Sequence, residues 1–174
     1  MSSSFDLSEV DAFTVGTEGP PGRRVFFLQA VAGPQVVTLR LEKQQVALLA
    51  DYLDRLLVTY EFGAAEPVAM PDLAQPLLSE WIIGSMMVAI DEARSMIVII
   101  AEEMVLIEVD PDDPDDDIDL DDEPSGAQAR FCLTRSQVEA FVEGAREVIG
   151  GGRPICRLCG GPMNAEGHSC PRMN

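Results

Sequence analysis

A strand-to-helix junction with the same spacing occurs twice in the sequence. In the first copy Leu-Arg-Leu at 39–41 is followed by Gln-Val at 45–46. In the second copy Phe-Cys-Leu at 131–133 is followed by Gln-Val at 137–138, 92 positions further along the chain. Apolar residues alternate before each junction and recur every three or four residues after it, which indicates a strand that leads into an amphipathic helix.

Each junction ends a longer series of predicted elements. In the first half we expect strands at 13–16, 25–31 and 36–41 and a helix that begins at Lys43. In the second half the apolar stretches 81–90 and 95–101 are predicted to be buried strands, 104–109 is a further candidate strand, and 130–133 precedes the second helix. That helix begins with Thr134-x-x-Gln137, a capping-box pattern. Its Gly144 costs about 1 kcal/mol relative to alanine unless close packing requires it.

The sequence therefore predicts an α+β fold in which two pseudo-repeated strand-strand-strand-helix units share one core. Either unit alone buries too little apolar surface to be stable. The predicted duplicated domain is 1–150, with the first unit at 12–60, a proline-containing connector at 61–80, the second unit at 81–150, an acidic loop at 108–124 and a separate tail at 151–174. That two amphipathic helices look alike without any duplication is the alternative.

The tail carries the clearest chemical motif, C-x2-C-x8-H-x-C, formed by Cys156, Cys159, His168 and Cys170. Three thiolates and one imidazole make a closed tetrahedral Zn²⁺ shell, which favours a structural site over a catalytic one. A redox Cys-x-x-Cys pair is an alternative, although such a pair normally begins a helix and this one follows three glycines. A disulfide is another, and it would need an oxidising compartment.

The formal net charge of −18 is concentrated in one segment. From Glu108 to Glu123, 11 of 16 residues are acidic and none is basic. We interpret this segment as a solvated, self-repelling loop, with a docking surface for a basic partner as the alternative. A calcium site is disfavoured because Ile118 stands where an EF-hand loop needs glycine and Pro124 where it needs glutamate. The charge also argues against a broad nucleic-acid face and against binding to anionic membranes.

A glycine-rich turn at 16–24 ends in Arg23 and Arg24. It lacks the Gly-Lys-Ser/Thr ending of a P-loop, so we interpret it as a hairpin turn, with Arg23 and Arg24 as candidate anion-binding residues. No Gly-x-Ser-x-Gly motif or Ser/His/Asp set is present, and the chain's one histidine lies in the cysteine motif. Cys132 is expected to be a packed residue rather than a nucleophile.

The location expected from the sequence is the cytoplasm. The first residues lack the basic start and apolar run of a signal peptide. Asp91, Glu92 and Arg94 separate the two most apolar stretches, and neither approaches the roughly 20 residues that span a bilayer.

Several of these residues match a known pattern. The segments 16–19 (Gly-Thr-Glu-Gly), 22–24 (Gly-Arg-Arg), 26–30 (Phe-Phe-Leu-Gln-Ala) and 41–46 (Leu-Glu-Lys-Gln-Gln-Val) resemble an uncharacterised actinobacterial domain-of-unknown-function family with the motif G-T-x-G-x-P-G-x-R. The cysteine tail is similar to the end of that family. The resemblance covers nearly the whole chain and implies one integrated domain with a zinc tail, without supplying an activity.

Taken together, these patterns favour a non-enzymatic interaction or adaptor protein with a structural zinc site and a protein partner. Self-association is an open alternative, and no membrane partner is expected. A second hypothesis is an enzyme or small-ligand binder that uses Arg23 and Arg24 for an anionic metabolite. A third is nucleic-acid binding through the zinc tail, where Arg153, Arg157 and Arg172 form a local basic patch.

Overall fold

The computed structural model of the protein describes residues 2–63, 66–105, 126–152, 156–161, 163 and 168–172. These ranges contain seven strands and two helices, which confirms the α+β class. In chain order the elements are β1 (Phe5–Leu7), β2 (Ala12–Glu18), β3 (Val25–Ala32), β4 (Gln35–Leu41), α1 (Lys43–Thr59), β5 (Ile83–Asp91), β6 (Met96–Glu103), β7 (Gln128–Leu133) and α2 (Arg135–Gly150).

The strands form two sheets, which contact each other where β4 ends and β5 begins. β2, β3 and β4 make an antiparallel sheet, and the second sheet has the order β1-β7-β6-β5, with β1 parallel to β7 and the other pairs antiparallel. The end of β4 runs beside the chain just before β5. There the Arg40 amide donates to the Trp81 carbonyl at 3.0 Å, and the Glu80 amide donates to the Thr38 carbonyl at 2.8 Å. The first and second halves of the chain are thus joined by backbone hydrogen bonds.

Both sheets and both helices contribute to one apolar core. Phe13 of β2, Phe131 of β7 and Phe141 of α2 meet within it, with ring centroids 5.6 Å apart for Phe13–Phe131 and 5.0 Å for Phe13–Phe141. The helices bury one stripe each, as their sequence period predicts. The residues that share this role are Val46, Leu49, Ala50 and Leu53 in α1 and Val138, Phe141, Val142 and Ala145 in α2.

β5 differs from the prediction of a buried strand over 81–90. It is the last strand of its sheet, and Ser85, Met87 and Ala89 on one of its faces are exposed. An antiparallel edge strand needs only one apolar face. The many apolar residues of 81–90 therefore led to a prediction of more burial than β5 has. β6, by contrast, is largely buried, as predicted for 95–101. In the candidate strand at 104–109, Met104 and Val105 belong to no strand, and the other residues lie outside the described ranges.

Buried polar side chains hold the connector at 61–80 against the first sheet. Gln29 is 1% exposed, and its side-chain nitrogen donates to the Thr38 hydroxyl at 2.9 Å and to the Ala74 carbonyl at 3.1 Å. Its side-chain oxygen accepts from the Ala74 amide at 2.7 Å. The Thr14 hydroxyl donates to the Pro71 carbonyl. The part of the connector around 71–74 is therefore fixed to β2 and β3 rather than free to swing.

Neither helix in the described part of the chain is long and apolar enough to cross a membrane.

Candidate metal centre

The structure brings all four predicted ligands of the tail together. One ligand atom from each of Cys156, Cys159, His168 and Cys170 lies within 4.8 Å of the others. The Sγ atoms of Cys156 and Cys170 are 3.9 Å apart, and Cys159 Sγ lies 3.2 Å from His168 Nε2. Cys156 and Cys170 are each 7% exposed. These four groups are positioned to hold a metal ion.

The Cys-x-x-Cys segment makes a tight turn that gathers amides around the first sulfur. The Gly160 amide donates to the Cys156 carbonyl at 2.9 Å, and the Cys156 amide donates to the Gly161 carbonyl at 2.8 Å. Gly160 has φ +72°, a left-handed conformation that glycine adopts without strain. The backbone amides of Cys159 and then Leu158 donate to the Cys156 sulfur, and they hold the pKa of that thiol below its ordinary value. The turn thus favours a thiolate at Cys156.

The thiol of Cys170 has a pKa shift in the opposite direction to that of Cys156. The Arg172 amide donates to the Cys170 sulfur and lowers its pKa, but burial and the neighbouring thiols of Cys159 and Cys156 together outweigh it. The net effect is a raised pKa at Cys170. Sulfurs this close cannot all ionise unless a cation compensates their charge, because like charges at this distance repel.

The distance between the Cys156 and Cys170 sulfurs fits a metal site better than the two alternatives from the sequence. With Zn–S bonds of about 2.3 Å, the sulfurs of a tetrahedral site lie about 3.8 Å apart, close to the 3.9 Å between Cys156 and Cys170. A disulfide would require about 2.05 Å, and all four cysteines of the chain are free. A redox Cys-x-x-Cys motif normally begins a helix, whereas residues 156–161 form a turn.

The other predicted site residues lie elsewhere. Arg23 is exposed, whereas Arg24 is half-buried and lines a cavity of about 310 Å³. Cys132 is fully buried in β7. The whole acidic loop at 108–124 lies outside the described residues, as does Arg153. The calcium and docking alternatives for the loop therefore stay sequence predictions.

Sequence reasoning missed two residues that accompany Arg24. Arg40 and Lys43 line the same cavity, at the end of β4 and the start of α1. A signal for Lys43 was present in the hairpin pattern. β3 and β4 pair with Phe26 opposite Leu41 at the open end of the hairpin, and Arg24 and Lys43 each lie two residues beyond that pair.

One protein family matches the chain from residue 5 to residue 170, a span that runs from β1 to the last cysteine ligand. The chain belongs to this family, which is described as protein of unknown function (DUF3090). The expected membership of a domain-of-unknown-function family is confirmed. No curated protein and no solved structure matches the chain. The DUF3090 match spans both the folded body and the metal-ligand cluster, but it brings no activity with it.

Proposed function

We propose that this DUF3090 protein is a non-enzymatic, cytoplasmic interaction module whose tail folds around one structural Zn²⁺ ion. The observation that carries the proposal is the convergence of four protein ligands, Cys156, Cys159, His168 and Cys170, within 4.8 Å. Catalytic zinc sites keep one position for water or substrate, whereas four protein ligands complete the tetrahedron. A closed site stabilises structure and leaves no coordination position for a reactant.

The choice of zinc rests on ligand chemistry. Three soft thiolates with one imidazole suit Zn²⁺, whereas calcium and magnesium bind oxygen ligands. Most iron–sulfur clusters are held by four cysteines, and here the fourth ligand is His168. With zinc bound, the tail would gain a fixed conformation that its small number of apolar residues does not supply.

Metal content of the full chain tests this part of the proposal. Protein purified without added zinc should contain one zinc per chain by elemental analysis, and Cys170→Ser should lower that content sharply. Cys132→Ala is the matched control, because it removes a thiol that lies in β7 and is not among the four ligands. Equal zinc loss in both variants, or metal-free wild-type protein with an ordered tail, would contradict the proposal.

The proposed role in binding a protein partner rests on charge. The segment from Glu108 to Glu123, with its 11 acids and no base, offers a basic partner a strong and long-range attraction. Recovery of co-purifying proteins should fall when residues 110–123 are deleted, and the loss should match that caused by high salt. A deletion variant that recovers the same partners in the same amounts would remove the docking role and leave the zinc site unaffected.

We further propose that the body arose by internal duplication. After β1, the described elements run strand, strand, strand, helix twice. Gln45 and Gln137 occupy the same position in α1 and α2 and accept from the amides of Glu42 at 2.8 Å and Thr134 at 2.9 Å. Each glutamine also reaches into the other half.

These second contacts are reciprocal. The side-chain nitrogen of Gln45 donates to the Ile83 carbonyl at 3.1 Å, where β5 begins. The side-chain nitrogen of Gln137 donates to the Val10 carbonyl at 2.6 Å, just before β2. Each helix start is thus tied to the first of the three strands in the opposite half. A chance likeness between two unrelated helices does not by itself explain these reciprocal hydrogen bonds. The bonds therefore support the duplication.

A further inference from the structure

A small cavity with an excess of positive charge lies where β3 begins, β4 ends and α1 starts. Its volume is about 310 Å³. Arg24, Arg40 and Lys43 line it, and Glu42 is the one acidic residue among the described residues that do so. The lining therefore carries two more positive than negative charges, in a chain whose formal net charge is −18. Such a local reversal of charge marks a place where an anion would be attracted.

Two consecutive glycines locate the charged groups of Arg24 and Lys43. A Cβ atom on Gly151 would lie 3.3 Å from Arg24 Nη1, and one on Gly152 would lie 3.4 Å from Lys43 Nζ. The guanidinium and the ammonium therefore rest against neighbouring residues just beyond the end of α2. Arg24 lies two residues before Phe26 and Lys43 two residues after Leu41, the pair that ends the β3–β4 ladder, so both lie just beyond its open end.

Neither of these cations has an acidic partner among the described residues. The ion pairs in that part of the chain involve Arg130, Arg135 and Arg146. Two like charges that line one cavity, neither in an ion pair, repel each other, and a bound anion relieves that repulsion. An arginine fork beside a lysine point charge is a combination that suits phosphate, because the fork fixes orientation and the lysine adds charge.

We propose that this cavity binds a small phosphate-bearing ligand, with Arg24 and Lys43 as its phosphate contacts and Arg40 adding to the positive field. The apolar part of the cavity lining includes Phe26, Ile82 and Ile149. The volume lies at the lower end of the roughly 300–1,000 Å³ typical of small-molecule sites. A compact phosphate ester or diphosphate fits this combination, and an extended nucleic acid does not. The proposal goes beyond the zinc-dependent role and does not depend on the tail.

A larger cavity of the same molecule provides an internal comparison. It measures about 630 Å³ and lies between β2, the connector and α2. Glu18, Asp72, Glu143 and Glu147 line it, and no lysine or arginine is among its described lining residues. An anion is repelled there, so specific binding should leave this cavity undisturbed.

A purely structural role for Arg24 and Lys43 makes a different prediction. The last turn of α2 contains no basic residue. Cations from outside the helix can therefore balance the partial negative charge of its terminal carbonyls. In that case the two side chains would stabilise the end of α2, and an anion would gain nothing from them.

Titration of the full ¹⁵N-labelled chain with inorganic pyrophosphate distinguishes the two roles. We expect saturable shifts of amide signals confined to residues around Arg24, Arg40 and Lys43, with none around Glu143. The double variant Arg24→Gln/Lys43→Gln should bind pyrophosphate at least about tenfold more weakly, since two charge-assisted contacts are lost. Arg23→Gln is the matched control. It removes the same charge one residue away, outside the cavity lining, and should leave the affinity unchanged.

Several results would overturn the proposal. Shifts that do not saturate, or that spread over unrelated surfaces, would mean non-specific attraction only. A double variant with wild-type pyrophosphate affinity and a lowered Tm would assign Arg24 and Lys43 to the helix end. If the double variant fails to fold, each single variant is titrated, and pyrophosphate should raise the Tm of the wild-type chain more than that of either. Equal increases in Tm would also contradict the proposal.

Discussion

At the scale of single residues, Gly144 shows how a contact elsewhere in the chain decides what a helix position tolerates. It lies within α2 and is buried. A Cβ atom there would overlap the terminal methyl of Met70 and lie 2.5 Å from its Sδ atom. The connector therefore packs directly on the helix backbone, and the close packing that would justify this glycine is present.

Replacing Gly144 by alanine should destabilise the fold, although alanine has the better helix propensity by about 1 kcal/mol. Overpacking of this kind typically costs about 1–3 kcal/mol, and a cost of about 2 kcal/mol, reduced by the propensity gain, leaves a net loss of about 1 kcal/mol. Gly150→Ala is the matched control, since it lies in the same helix with nothing within 4 Å of its Cβ position. Thermal unfolding should show a lower Tm for Gly144→Ala only. An equal or higher Tm for both would contradict the packing argument.

The paired glutamines give a second prediction at this scale. Gln137→Ala removes both the bond to the Thr134 amide and the bond to the Val10 carbonyl, and Gln45→Ala removes the equivalent pair. Each substitution should lower the free energy of unfolding by about 1–2 kcal/mol. The exposed neighbour Gln44 is the control, and Gln44→Ala should have little effect in urea denaturation. A loss at only one of the two glutamines would argue against their equivalence.

At the scale of elements, the buried Gln29 side chain makes two of the hydrogen bonds that hold the connector against the first sheet. Gln29→Leu keeps the side-chain volume but leaves the Ala74 amide, the Ala74 carbonyl and the Thr38 hydroxyl without their partner. Each buried group left unpaired costs about 1–3 kcal/mol. We expect faster hydrogen exchange at the Ala74 amide and a lower midpoint in urea. Gln35→Leu, on the exposed start of β4, should change neither. An unchanged hydrogen-exchange rate at the Ala74 amide would mean that other contacts hold the connector in place.

The end of β6 carries a pH-dependent contact. The Glu103 carboxylate accepts from the Ser2 hydroxyl at 2.5 Å and from the Ala127 amide at 2.9 Å, and these two bonds, the first being the stronger, lower the pKa of Glu103. Because the folded-state pKa is depressed, the stabilisation is present at neutral pH and is lost as pH falls through that pKa. Carboxyl chemical shifts followed during acidification should give Glu103 a midpoint below the ordinary value of a glutamate side chain. A midpoint at or above that ordinary value would contradict the contact.

Elements with a strong local period could be predicted from the sequence, and long-range pairings could not. The starts of α1 and α2 follow from apolar stripes and, in α2, from the Thr134 cap, because these signals lie within a few residues of one another. The order β1-β7-β6-β5 joins segments more than 120 residues apart, with Phe5 opposite Ala129. No local pattern specifies such a pairing, and the edge position that exposes one face of β5 depends on it.

The same distinction applies to the sites. The four metal ligands lie within fifteen residues, so their spacing alone predicted the cluster that the structure assembles. The cationic cavity needs Arg24, Arg40 and Lys43 from a strand start, a strand end and a helix. Its composition becomes visible only when the β3–β4 register is known. Arg23, the neighbour that sequence reasoning paired with Arg24, is exposed and does not line that cavity.

At the scale of the whole molecule, acidic and basic side chains are concentrated in different parts of the surface. The chain carries −18 overall, and its described part contains both an acidic cavity beside the connector and a cationic cavity at the start of α1. The acidic segment at 108–123 and the Cys/His cluster lie on either side of β7 and α2 in the sequence. Apart from these two segments, both sheets and both helices share one apolar core.

In the proposed function, one zinc ion with four protein ligands organises the tail. X-ray absorption at the zinc edge, measured on the full chain as purified, reports the number and type of atoms around that ion. We expect three sulfur atoms at about 2.3 Å and one nitrogen at about 2.0–2.1 Å, with no water bound to the zinc. A shell that contains a water oxygen, or one dominated by oxygen ligands, would contradict a closed structural site formed by Cys156, Cys159, His168 and Cys170.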